Sequence, residues 1–266
     1  MSFSSQWLAL REPYDQAARN PTVLGAVGKA FAQFATVRVA DLGCGTGSTM
    51  RAVAPLLPAR QDWRLVDNDA ALLEAAHDAA PAMCEVTTAQ VDLAADLGRA
   101  LAEDTDLVTT SALLDLVSVH WLERLVSMLA ITGRPLYAAL SYDGKVSLTP
   151  VSLYDEVVIA AVNRHQLTDK GFGPALGPDA VARARDLFRG QGFAIEEGRS
   201  DWSFGPSDRD IQLEMLAGWA GAAAEMGIAA GQLDDWLAER RAHVEAARSQ
   251  MRVGHLDFFA APIGTR

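Results

Sequence analysis

The sequence predicts an α/β chain in which helices cover both faces of a doubly wound, mostly parallel sheet. Three observations carry this. Between residues 37 and 141, short β-branched or apolar runs alternate with helical patterns at the spacing of strand, crossover and strand. One of them, Asp106 to Thr110, has the continuous apolar core of a strand buried on both faces. The first, Val37 to Leu42, leads through Asp41 into Gly43, Gly45 and Gly47 before a helical pattern resumes. Glycines reach backbone angles closed to other residues and let a ligand lie against the main chain, and in such sheets ligands bind at the strands' carboxyl ends.

In order, Trp7 to Asn20 reads as a helix with Pro13 in its first turn, closed by Asn20-Pro21. Thr22 to Phe34 is a second helix, with Val23, Val27, Ala30, Phe31 and Phe34 at helical spacing. The helix after Gly47 stops near Pro55. Trp63 to Asp67 is the second strand, Ala70 to Ala80 a helix, and Glu85 to Thr88 the third strand, with Asp92 in the turn after it. Gly98 to Ala102 is helical, and after the fourth strand Ser118 caps a helix with Trp121, Leu122, Leu125 and Leu129 on one stripe. Pro135 to Ser141 is the fifth strand. Beyond residue 144 the pattern predicts a helix over 151–166, a glycine-rich loop over 168–174, a helix over 179–189 and a strand over 193–203. Helices over 207–226 and 233–251 and a last strand over 255–261 complete the chain. With no repeat or long linker, one domain over 1–266 is expected: N-terminal helices in 1–35, a core in 36–144, helical additions and one strand in 145–251, and a final strand in 252–266.

The 266 residues include 23 Lys plus Arg against 34 Asp plus Glu, a net charge of -11. That sign repels phosphate backbones, so nucleic acid is not an expected partner. Two cysteines, Cys44 and Cys84, make no disulfide framework, and no apolar run is long enough to span a bilayer. A cytoplasmic location is expected, with no membrane partner and no metal, since no HExxH or paired CxxC spacing occurs.

A strand, glycine turn and helix can hold a dinucleotide, a nucleotide phosphate or an adenosyl group. The dinucleotide fingerprint needs glycine or alanine where Ser48 stands, and a Walker loop needs a lysine that does not follow. What remains resembles the class I S-adenosylmethionine-dependent methyltransferases, whose first motif is matched by Asp41, Gly43, Gly45 and Gly47, with Cys44 inside the turn. Asp67, with Asn68 after it, ends the second strand where the family's acid binds the ribose hydroxyls. Asp92 and Leu93 follow the third strand, where the family meets the adenine edge, and Thr110 and Ser111 end the fourth, beside the sulfonium. The resemblance covers roughly residues 36 to 144 plus the last strand, which the family inserts antiparallel beside the fifth. It implies a seven-stranded sheet, S-adenosylmethionine as cofactor, and transfer by in-line displacement that depends on alignment more than on a base.

In that family the acceptor pocket is built from the N-terminal helix, the ends of strands four and five, and late insertions. Arg11, Tyr14 and Arg19 are candidates there, because a guanidinium offers a planar fork to the cofactor's carboxylate or to an anionic acceptor. His165, on a helix face that also carries apolar residues, is either a satisfied core histidine or looks into the pocket with Gln166. In the second case the loop with Lys170 closes over it as a lid. Tyr142 lies beyond the fifth strand, and Asp115 and His120 are further candidate bases. The expected reaction is methyl transfer to a small molecule. The alternatives are a nicotinamide-dependent oxidoreductase on a similar sheet and a non-catalytic cofactor-binding or partner module.

Overall fold

A computed structural model describes residues 4–264, so the outermost positions of the expected 1–35 and 252–266 segments lie outside the described residues. The Ser4 hydroxyl accepts from the Trp7 amide and starts α1 (Ser5–Ala18) earlier than predicted, so Pro13 sits inside the helix, not in its first turn. Asn20 caps α2 (Pro21–Phe31), taking the Thr22 and Val23 amides on its side-chain oxygen, with Pro21 at the first helical position. Then come β1 (Val37–Leu42), α3 (Ser48–Val53), β2 (Gln61–Asp67), α4 (Ala70–Asp78), β3 (Cys84–Gln90), α5 (Leu97–Ala100) and β4 (Leu107–Ser111). Ser118 caps α6 (Val119–Thr132), and Gly133 closes it in the left-handed conformation.

From there the chain departs from the predicted bounds. The fifth strand, β5 (Leu136–Thr149), runs well past Ser141. Asp143 and Gly144 fall in a bulge of β5, with Gly144 at φ 82°. Next are α7 (Asp155–Gln166), α8 (Ala180–Gly190), β6 (Phe193–Arg199), β7 (Trp202–Phe204), α9 (Arg209–Glu225) and α10 (Ala230–Glu245). The helix predicted to reach Met251 ends at Glu245 because Ala247 turns the chain at φ 52°, and β8 (Gln250–Pro262) starts there.

The sheet order is β3-β2-β1-β4-β5-β8-β6, with β7 also on β8, so it has eight strands where seven were expected. The added strand comes from the predicted 193–203 strand. Arg199 pairs with Leu256, and Trp202, three residues on, pairs with Val253, three residues back along the antiparallel β8. Thus β7 continues β6 in one register, interrupted where the Asp201 carboxylate turns to accept from Arg252 Nε (2.7 Å) and the His255 amide (3.2 Å). β1 to β5 are parallel, and β8 is antiparallel to β5 and β6.

Apolar side chains form three clusters. Leu42, Val66, Val108 and Phe258 pack with Trp121, Leu125 and Phe188 of α6 and α8. Val39, Trp63, Leu65 and Tyr137 pack with Val23, Val27 and Phe31 of α2 and Met50 of α3. A third cluster joins Val158, Leu216, Trp219 and Trp236 of α7, α9 and α10 to Trp202, Met251 and Val253, with Trp7, Leu10 and Tyr14 of α1 against it. The first two cover the two faces of the sheet; the third extends it over the ends of β5 and β8. Among the described residues no helix is long and apolar enough to cross a membrane.

Candidate functional site

The order places β1 beside both β2 and β4, the switch point at which doubly wound sheets open a crevice. A cavity of about 260 Å³ lies there. Its floor is the turn after β1. Gly43 and Gly45 hold φ of 64° and 53°, and a Cβ on Gly45 would stand 3.2 Å from the Leu8 side chain. Both line the cavity together with Cys44, whereas Gly47 does not. Gly47, at φ 83°, starts α3 instead, where a Cβ would stand 3.2 Å from Arg51 and 3.3 Å from Met50.

Asp67 and Asn68 form the second wall. One Asp67 oxygen accepts from the Gly45 amide (2.9 Å) and the other from the Asp69 amide (3.1 Å), which ties the end of β2 to the turn. Asp92 and Leu93 line the next edge. The Asp92 carboxylate is exposed and accepts from the Ala94 amide (2.9 Å), and the Leu93 carbonyl accepts from the Trp121 indole (2.7 Å). Ser111 closes the far wall. Ser48 and Ser111 both line the cavity, and their buried hydroxyls have no hydrogen-bond partner among the described residues. A ligand with polar groups there would satisfy them. An adenosylated amino acid fits: carboxylates and an amide-rich turn meet its hydroxyls and amines, and the glycines leave room for its chain.

Besides Gly47, three predicted cofactor residues do not line the cavity. Asp41 is fully buried and accepts from the Thr109 hydroxyl (2.8 Å), bracing β1 against β4; burial pushes its carboxyl up to about 6. Thr110 gives its hydroxyl to the Leu42 carbonyl (2.8 Å). Arg19 points elsewhere, to the Tyr137 hydroxyl (3.2 Å) and Thr49 (3.4 Å). Cys44 does line it, but burial first, then Asp41 and Asp67, pushes its thiol far up, which suits a packing residue and not a nucleophile.

On the acceptor side α1 presents Leu8, Arg11 and Asp15 to the cavity, at i, i+3 and i+7 on one face. Arg11 Nε donates to Asp15 (2.9 Å), which also accepts from the Trp202 indole (3.0 Å). Opposite lie Leu113 and Leu116 after β4, and Lys170, Gly171 and Phe172 from the loop after α7. The loop is pinned by Asp169, which accepts from the Gly171 and Gly173 amides (2.7 and 2.9 Å). Phe172 sets its ring edge-on to Trp121 at 5.6 Å.

The other acceptor candidates fall outside this lining. Tyr14 bonds Asp208 (2.9 Å) and packs on Phe204; Tyr142 is buried and donates to Asn163 (2.8 Å). His165 sits behind the loop with Nε2 3.0 Å from Glu225, Gln166 lies beside it, and His120 is exposed in the first turn of α6. Asp115, between Leu113 and Leu116 in sequence, is buried, one oxygen without a hydrogen-bond partner among the described residues, its carboxyl pushed up to about 6 by burial. Leu8, Asp15, Ser48, Leu113, Leu116 and Phe172 escaped the sequence reading. The helical period linking Leu8 and Asp15 to Arg11 was the available signal; the others depend on pairings distant in sequence.

Residues 39–134 match the family model described as a methyltransferase domain. A search of curated proteins finds no match. Among solved structures, a cyclopropane-fatty-acyl-phospholipid synthase-like protein from Lactobacillus casei is 15% identical, with a TM-score of 0.51 over 94% of this chain and 98% of that one. The YcgJ protein from Bacillus subtilis is 16% identical, with a TM-score of 0.50 over 92% and 100%. A mycolic acid cyclopropane synthase complexed with SAH and CTAB is 11% identical, with a TM-score of 0.50 over 90% and 82%. At these identities the likeness is one of fold.

Proposed function

We propose that this chain is a class I S-adenosylmethionine-dependent methyltransferase and that it transfers the cofactor's methyl group to a small organic molecule. The observation that carries the acceptor class is the shape of the cavity. It is about 260 Å³, continuous from the glycine turn, and walled between α1 and the 168–174 loop, so a macromolecular segment would have to displace one of these to enter. The acidic balance of the chain supports the same reading, since it opposes approach of a nucleic acid.

The cofactor, when bound, supplies a methyl group on a sulfonium, open to in-line attack. The protein's part is to bind, orient and exclude water. Asp67 and Asp92 would accept from hydroxyl and amine donors at one end of the cavity, and the Gly43 to Gly45 backbone leaves room for the aliphatic part. Ser48 and Ser111 would give their free hydroxyls to the middle of the cavity. Leu113, Leu116 and Phe172 would keep water from the acceptor, so that its attacking lone pair faces the methyl group and little else. Asp115, which does not line the cavity, would act on the acceptor's proton only through intervening groups.

The test is transfer of labelled methyl from the cofactor into a cell extract divided by size. Label in the small-molecule fraction is the expected result. Label confined to protein or nucleic acid would overturn the reading.

A further inference from the structure

Two cations line the cavity, and their surroundings differ. Arg11 is compensated by Asp15 at 2.9 Å, and Asp15 is held in turn by Trp202. Lys170 is 7% exposed, yet among the described residues no carboxylate pairs with its ammonium. Nζ donates to the Thr168 hydroxyl (2.9 Å) and lies 3.2 Å from His165 Nδ1. Beyond that imidazole stands Glu225, bonded to His165 Nε2 (3.0 Å), with 71% of its side chain in solvent. An ammonium taken out of water without a counter-charge costs several kcal/mol. Burial accordingly pushes Lys170 below the usual lysine range, with Glu225 acting weakly the other way. Of the acids on the cavity wall, Asp67 is engaged by two backbone amides, Asp92 by one, and Asp15 by Arg11. None of these carboxylates pairs with Lys170, so its ammonium is the cation on the cavity wall that lacks a counter-charge among the described residues.

We propose that the methyl acceptor supplies it: the acceptor carries an anionic group, a carboxylate or a phosphate ester, paired with Lys170, and its apolar part lies against Leu113, Leu116 and Phe172. His165 and Thr168, which lie outside the lining, are positioning residues that fix Nζ, with Glu225 orienting the imidazole. The inference rests on the small-molecule reading, whose own failure appears separately, as label on macromolecules in the extract experiment.

The test uses the full chain saturated with S-adenosylhomocysteine, titrated calorimetrically with benzoate and phenyl phosphate, and with benzamide as the neutral match. The expected result is that at least one anion binds better than benzamide and weakens tenfold or more in Lys170→Met and Lys170→Gln, while Lys170→Arg retains most of the affinity. Which anion binds distinguishes carboxylate from phosphate. S-adenosylhomocysteine affinity should be unchanged in all three variants, which also shows that they are folded. Anions that bind no better than benzamide, or equally well to Lys170→Met, would overturn the proposal. So would loss of S-adenosylhomocysteine affinity in the Met and Gln variants with Lys170→Arg intact, because the lysine would then serve the cofactor's own carboxylate.

Discussion

Asp67 has two tasks that a shorter side chain would drop together. Its carboxylate holds the Gly45 amide at 2.9 Å and faces the cavity where sugar hydroxyls are expected. Asp67→Ala should weaken S-adenosylhomocysteine by about 1–3 kcal/mol, the range for a lost charge-assisted hydrogen bond, read by calorimetry on a protein with unchanged circular dichroism. Asp115 predicts a pH effect. Its carboxyl is raised from an ordinary 3.8 to about 6 by burial, so folding favours its protonated form. Its contribution to stability is full below pH 3.8 and falls as pH rises to about 6, and Asp41 contributes in the same window. Asp115→Asn should therefore be more stable than the unchanged protein at neutral pH, by up to about 3 kcal/mol, and should lose less stability than the unchanged protein as pH rises across that window. Glycine spacing and the residues at strand ends pointed to Gly43, Gly45, Asp67, Asp92 and Ser111, and these five line one cavity. Thr110 and Asp41 were one pleat away from it: alternate residues of a strand face opposite sides, and a turn's spacing does not say which side faces the crevice.

At the scale of elements, the readable ones were those whose signal is local. Ser118 and Asn20 cap where hydroxyl and amide side chains precede apolar periodicity, and the parallel strands show their apolar cores. The second halves of β5 and β8 were hidden because each is a strand only by pairing with the other, Val146 with Val253 and Thr149 with Gln250, about a hundred residues apart in sequence. The 168–174 loop was visible through its glycines, but its place over the cavity depends on Asp169 and on Phe172 meeting Trp121. A buried ion pair anchors the neighbouring helices. Arg240, 1% exposed, donates through Nε to Asp155 (2.9 Å), pairs with it again through Nη2, and gives Nη1 to the Pro150 carbonyl (2.6 Å); Trp236 also donates to Asp155. Arg240→Met should cost about 3–5 kcal/mol in denaturant unfolding, because it strands a buried carboxylate. Replacing Asp155 by leucine as well should recover much of that loss.

For the whole molecule, the sheet is a platform for three apolar clusters, and the cavity opens where the strand order reverses beneath α1. The chain is strongly acidic, yet this opening holds two buried or nearly buried cations, Arg11 and Lys170. A small anion can reach the ammonium of Lys170, which no carboxylate pairs among the described residues, whereas the net negative charge of the chain repels large polyanions. One contact described above also gives the protein an optical sensor. Trp121 donates its indole to the Leu93 carbonyl on the expected adenine edge and meets Phe172 of the loop with its ring. Its emission therefore depends on both sides of the cavity. Cofactor analogue and acceptor should each change the tryptophan fluorescence of the native chain, and Trp121→Phe, which leaves five other tryptophans, should remove most of that change. Filling of the cavity could then be followed in real time with no added label.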